Sequence, residues 1–97
     1  LRNGSWEYYW PTGQLNYKGF YKDNKRDGPW VYYHKNGQLS KKSDYNDGEA
    51  NGPAVGYYQN GQIEFRGNYK NDRHVGIWFW YENNGQLRLE KTYGTLP

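Results

Sequence analysis

The chain repeats itself every 24 residues, and that period constrains its fold more than any other feature. Gly4, Gly28, Gly52 and Gly76 fall in register, and nine residues after each stands a second glycine: Gly13, Gly37, Gly61 and Gly85. Gln14-Leu15, Gln38-Leu39, Gln62-Ile63 and Gln86-Leu87 come next, and two tyrosine series keep the same spacing, Tyr9, Tyr33, Tyr57, Tyr81 and Tyr21, Tyr45, Tyr69, Tyr93. The unit reads G-x-W-x-x-Y-x-x-N-G-Q-L-x-x-x-x-x-Y, with Trp6, Trp30 and Trp78 at its third place and Ala54 as the departure. At 97 residues this predicts a single repeat domain of four units, 4–27, 28–51, 52–75 and 76–97, with residues 1–3 in the places that end a preceding unit.

Each unit holds Asn36-Gly37, Asn60-Gly61, Asn84-Gly85 or the related Thr12-Gly13 between two aromatic and β-branched segments. Asn-Gly is the strongest short-range hairpin signal, since a two-residue type I′ turn needs positive φ at both central positions. Pro11-Thr12 predicts a somewhat different first turn. The links Lys22 to Pro29 and Lys70 to Gly76 are polar and without helical periodicity, so they read as turns, with His74 in the second of them. The expected fold is all-β: an antiparallel meander of about eight short strands from four hairpins, forming one open, elongated, twisted sheet.

Counting outward from a two-residue turn assigns faces. His34 falls opposite Leu39, Tyr32 opposite Lys41 and Trp30 opposite Ser43; Trp6 meets Gly19, Tyr8 meets Tyr17, Ala54 meets Gly67, Gly56 meets Phe65 and Trp80 meets Leu89. Large residues repeatedly face small ones, so indoles covering cross-strand Gly or Ser form the core face. The other face pairs Glu7 with Lys18, Val31 with Lys42, Val55 with Arg66 and Phe79 with Glu90. It also carries a column of exposed rings, Tyr9, Tyr33, Tyr57 and Tyr81, at a pitch of about 9–10 Å.

Composition narrows the function. Hydrophobic residues are 34% of the chain but aromatics 21%, so a core must be built of rings. With 13 basic and 10 acidic residues, the charge of +3 is scattered and no dense basic stripe points to nucleic acid. No segment has the apolar length of a membrane span or the pattern of a targeting signal, which leaves the compartment open. There is no cysteine, and the two histidines and the serines form no converging nucleophile, base and orienter, so the reading is of no enzyme, no catalytic residue, no metal and no cofactor. Asp44-Tyr45-Asn46-Asp47-Gly48-Glu49 has its glycine one place early for a calcium loop and lacks the closing Glu, and is read as a plain turn.

The segment Gly28-Pro29-Trp30-Val31-Tyr32-Tyr33-His34-Lys35-Asn36-Gly37-Gln38-Leu39 with Tyr45 resembles the bacterial variant of the MORN repeat, and the resemblance covers essentially the whole chain. It implies stacked β-hairpins and a non-catalytic binding role, as in YwqK-type antitoxin proteins. Family units often place Gly shortly after the late Tyr; here Asn24, Gly48 and Asp72 hold those places, all tolerant of left-handed backbone, and the third unit lacks its Trp. Units one and three are therefore expected to pack less regularly than two and four. The expected function is a protein-interaction or scaffold module of antitoxin type, using the Tyr9, Tyr33, Tyr57 and Tyr81 column. The alternative is a carbohydrate- or cell-wall-binding module, from a weaker likeness to aromatic cell-wall-binding repeats. The unpaired first and last strands predict a further partner, another copy of the chain, through edge-strand self-association.

Overall fold

The computed structural model describes residues 2–94. Eight strands form one antiparallel sheet in chain order: β1 Gly4–Tyr9, β2 Leu15–Lys22, β3 Lys25–Tyr33, β4 Leu39–Asn46, β5 Glu49–Tyr57, β6 Ile63–Lys70, β7 Arg73–Tyr81 and β8 Leu87–Tyr93. The plate measures 38 × 38 × 12 Å, as broad across the strands as it is long. Strands of six to nine residues at about 3.3 Å per residue, stacked about 4.8 Å apart, account for both dimensions.

The turns differ from the sequence reading in an instructive way. The two-residue type I′ turns are not at Asn-Gly but at the links between units. Asp23-Asn24, Asp47-Gly48 and Asn71-Asp72 all have positive φ, from 50° to 85°. Strand β3 begins at Lys25 and β7 at Arg73, so the polar links are mostly strand, and His74 belongs to β7 rather than to a loop. Asn and Asp adopt the left-handed region at low cost, which is why polar residues suffice there without a glycine in two of the three cases.

At the Asn-Gly sites only the glycine has positive φ. Gly37 N–H donates to the His34 carbonyl at 2.9 Å and His34 N–H to the Gln38 carbonyl at 2.8 Å, a three-residue loop made of a type I turn closed by a left-handed glycine. Asn36 supplies instead a side-chain acceptor, its Oδ1 taking the Gln38 N–H at 2.9 Å. The first unit makes the same loop, with Trp10 and Gln14 joined at 2.7 Å, and Pro11 at the turn position that favours proline.

A three-residue loop shifts the pairing by one, and a β-bulge restores it. Leu39 therefore faces Tyr33, not His34, while Tyr32↔Lys41 and Trp30↔Ser43 pair as counted. Asn16, Ser40, Glu64 and Arg88 are the extra residues, so all four hairpins share one register and the other cross-strand pairs named above all occur.

On the aromatic face Trp30 is 0% and Trp78 1% exposed. Each indole covers the glycine of the strand before it, not its hairpin partner: an added Cβ on Gly19 would lie 2.6 Å from Trp30 Cε3, and one on Gly67 2.6 Å from Trp78 Cγ. The indole N–H is satisfied one residue further on, by the Phe20 carbonyl at 3.2 Å and the Asn68 carbonyl at 3.0 Å. Unit three solves the same contact with other volumes. Ala54 lies against Ser43, both buried, and Gly56 accepts the ring of Phe65. Its register is as regular as the others'; only the filling differs.

Candidate binding surfaces

Tyr9, Tyr33, Tyr57 and Tyr81 occupy equivalent positions just before each loop, on the face opposite the indoles. Tyr9 is 50% exposed and the other three are half-buried. Tyr9 donates its hydroxyl to Glu7 Oε1 at 3.0 Å, and that bond to a carboxylate holds the phenol above its ordinary range, with desolvation and the carboxylate charge acting the same way. Tyr81 accepts from Arg66 Nε at 2.9 Å, and the Arg66 guanidinium lies 4.2 Å from the Phe79 ring centre.

Beside the column runs one cross-strand row in which basic and apolar residues alternate, Lys18, Val31, Lys42, Val55, Arg66 and Phe79, ended by Glu90. A groove of about 530 Å³ opens here, with Pro29, Pro53, Ile77, Val55 and Phe79 as apolar lining, Lys42 and Arg66 as its cations and Asp44 as its one acid. Lys18 and Lys42 are exposed, and among the described residues the ion pair found is elsewhere, Lys25 to Asp47 at 3.4 Å. Glu7 and Lys18 share a register without closing to an ion pair.

Units are tied together by side chains at a place the sequence reading did not single out. Trp10 Nε1 donates to the Tyr33 carbonyl at 3.3 Å, His34 Nε2 lies 2.7 Å from the Tyr57 carbonyl, and Tyr58 donates its hydroxyl to the Tyr81 carbonyl at 2.6 Å. Three chemically different donors, one period apart, make one bond; Glu82 holds the fourth place. The loop asparagines add a parallel ladder, Asn36 to the Gln59 carbonyl at 3.0 Å and Asn60 to the Asn83 carbonyl at 2.7 Å. A second series covers the indoles: Arg26 lies 4.8 Å from the Trp30 ring centre and bonds the hydroxyls of Tyr32 and Tyr45, while His74 lies tilted 4.3 Å from Trp78 and stacks 4.9 Å from Tyr93. Ala50 holds this place on β5, the strand that carries Ala54 instead of a Trp.

Four copies of the MORN repeat variant match residues 2–23, 26–47, 50–71 and 75–94, and the chain belongs to that family. No curated protein and no solved structure matches the chain. Repeats of this family are in general non-catalytic modules of protein and membrane interaction. Among the described residues no group of three or more His, Cys, Asp or Glu could hold a metal ion, and no helix is long and apolar enough to cross a membrane.

Proposed function

We propose that the chain is a non-catalytic protein-binding module that holds an acidic, partly apolar segment of its partner on the face carrying Tyr33, Tyr57 and Tyr81. The observation that supports this most is the groove lined by Pro29, Pro53, Val55 and Phe79 with Lys42 and Arg66 at its side. Apolar lining removes side chains from water, the two cations select acidic neighbours, and the tyrosines give rigid contact area at small entropic cost. The most concrete version is an immunity protein that occupies a toxin, in keeping with the antitoxin proteins that the repeat resembles. A second copy of this chain suits this face less well, because β8 carries Arg88 and Lys91 beside its single acid, Glu90.

Carbohydrate binding is the second reading, and the exposed rings Trp6 and Tyr8 on the other face favour it, since flat rings stack on sugars. Capture experiments separate the two. The partner protein held by the wild-type chain should be lost by Tyr33→Ala/Tyr57→Ala and by Lys42→Glu/Arg66→Glu, both of which should keep the wild-type circular dichroism spectrum. Retention on insoluble polysaccharide that survives both pairs of changes and disappears with Tyr8→Ala would favour the carbohydrate reading. Retention on anionic vesicles without any protein partner would make the groove a membrane contact.

A further inference from the structure

The groove on the tyrosine face has a direction and a width that restrict what can lie in it. Its lining comes from five consecutive strands, β3 to β7, so it runs across the strands rather than along them. At about 4.8 Å between strands its length is about 19 Å. One wall carries Pro29, Pro53 and Ile77, the other Lys42, Val55, Arg66 and Phe79, and the floor between them is strand backbone at Ser43, Ala54 and Gly67. The walls stand two residues apart on each strand, as Pro53 and Val55 do on β5, or about 6.6–6.8 Å.

That width admits a single extended chain. An α-helix, about 10–12 Å across with its side chains, is too broad to enter. A β-strand cannot pair there either, because the backbone donors and acceptors of β4, β5 and β6 are taken up by the strands on both sides.

The pitch decides between the extended forms that remain. Pro29 and Pro53, Lys42 and Arg66, and Val55 and Phe79 each lie two strands apart, about 9.6 Å. A chain in β-conformation returns a side chain to one side every second residue, at about 6.6–6.8 Å, and falls out of step at once. Polyproline II returns one every third residue, at about 9.3 Å, and after two periods is still within about 0.6 Å of the lattice.

Charge fixes which ridge of such a chain faces which wall. Lys42 and Arg66 are exposed, and the ion pair found among the described residues, Lys25 to Asp47, is elsewhere. Arg66 is held by its bond to the Tyr81 hydroxyl at 2.9 Å and by the Phe79 ring 4.2 Å away, which leaves its other N–H groups free to meet a carboxylate. Asp44, paired with Pro29 on the opposite wall, repels an acid there. Polyproline II has no internal hydrogen bonds, and Asp44 and Asn68 supply partners for its backbone. Ile77 ends the same wall 48% exposed, an apolar side chain with surface left to cover.

Given the protein-binding reading of this face, on which this site rests, we infer that the groove receives a polyproline II segment of another protein with an acidic residue at every third place. The acidic ridge faces Lys42 and Arg66, a second ridge of proline or another apolar residue faces Pro29, Pro53 and Ile77, and the third faces solvent.

Three synthetic peptides of twelve residues, titrated into the isotope-labelled full chain by NMR, test the period and the backbone form. The first repeats Glu-Pro-Ala. The second has the same composition with its glutamates in alternate places, repeating Glu-Pro-Glu-Ala-Pro-Ala, and the third repeats Glu-Ala-Ala, keeping the period without proline. Glu-Pro-Ala should give saturable shifts confined to residues 42–44, 54–55, 66–68 and 77–79 and bind at least threefold more tightly than either of the others. Lys42→Glu/Arg66→Glu should remove those shifts while keeping the wild-type circular dichroism spectrum. Equal binding of the first two peptides, shifts elsewhere on the sheet, or no saturable shift at millimolar peptide would each overturn the proposal. Glu-Ala-Ala binding as tightly, with the same dependence on Lys42 and Arg66, would overturn the polyproline form and leave the acidic-segment reading standing. The capture experiment judges that reading separately: a captured partner whose bound segment is helical keeps it and rejects this one.

Discussion

Gly67→Ala isolates the contact on which the aromatic face depends. The added Cβ would lie 2.6 Å from Trp78 Cγ and nearer still to two other ring atoms, where contacts below 3.0 Å require something to move. The neighbour is a rigid ring, not the end of a flexible chain, and it is 1% exposed and tied by Nε1 to the Asn68 carbonyl at 3.0 Å. Overpacking of this kind costs about 1–3 kcal/mol, and lifting the ring off its carbonyl adds about 1 kcal/mol. Against that, alanine is favoured over glycine in a strand by about 0.5–1 kcal/mol. The net expectation is a loss of about 2–3 kcal/mol, or about 10–20 °C in Tm for a domain of this size. Gly94→Ala is the control, since that glycine has open space around it and no positive φ, and it should change stability by less than about 0.5 kcal/mol. Urea denaturation followed by tryptophan fluorescence measures both variants. If Gly67→Ala melted within a degree or two of the wild type, the indole would not be resting on that glycine and the account of the core would be wrong.

Three further outcomes follow from the same geometry. Ala54→Trp should destabilise by about 1–3 kcal/mol because Ser43 stands where the other indoles find glycine, and adding Ser43→Gly should return at least about 1 kcal/mol of it in a double-mutant cycle. Tyr58→Phe should cost about 1 kcal/mol by removing the half-buried bond to the Tyr81 carbonyl, measured as a shift in denaturation midpoint. Burial raises the phenols of Tyr32 and Tyr69, so their folded-state pKa lies above the unfolded value of about 10. Their contribution is fully present below that pH and is lost as pH rises through the folded value, so Tm should fall above about pH 10 in step with phenolate absorbance; a flat profile to pH 11.5 would contradict it.

Most of this fold was legible because the period and the side-chain alternation are independent signals that agree. The pairings Trp6↔Gly19, Tyr8↔Tyr17 and Trp80↔Leu89 could be counted from sequence even though the turn assumed for the counting was wrong. The reason is a cancellation: a three-residue loop moves the register by one residue, and the bulge at Asn16, Ser40, Glu64 and Arg88 moves it back. Only residues between loop and bulge were misplaced, which is why His34 rather than Tyr32 lost its expected partner. Two things were not legible. A pairwise strand count cannot say which of two flanking strands an indole leans over, and Trp30 chose Gly19 of β2 rather than Ser43 of β4. The groove, likewise, needs Pro29, Pro53 and Ile77 from three hairpins to converge, and neighbours two and four strands apart leave no periodic mark beyond their own repeat.

The column at Trp10, His34, Tyr58 and Glu82 shows why residue identity understates how far this repeat is specified. An indole N–H, an imidazole nitrogen and a phenolic hydroxyl share no shape, yet each reaches the backbone carbonyl of the next unit one period on. What the position requires is a donor at the end of a planar arm that reaches this part-buried carbonyl. The same substitution of role for identity governs the core, where Trp over Gly and Ala over Ser are two solutions to one distance between strands. Such positions vary freely within the rule and abruptly outside it. Glu82, Glu90 and Lys91 break the rule together and on one side of the sheet, whereas Arg2, Trp6 and Tyr8 on the other side keep it. Strands of one period can therefore differ in which side chains they set toward a neighbour while keeping one register.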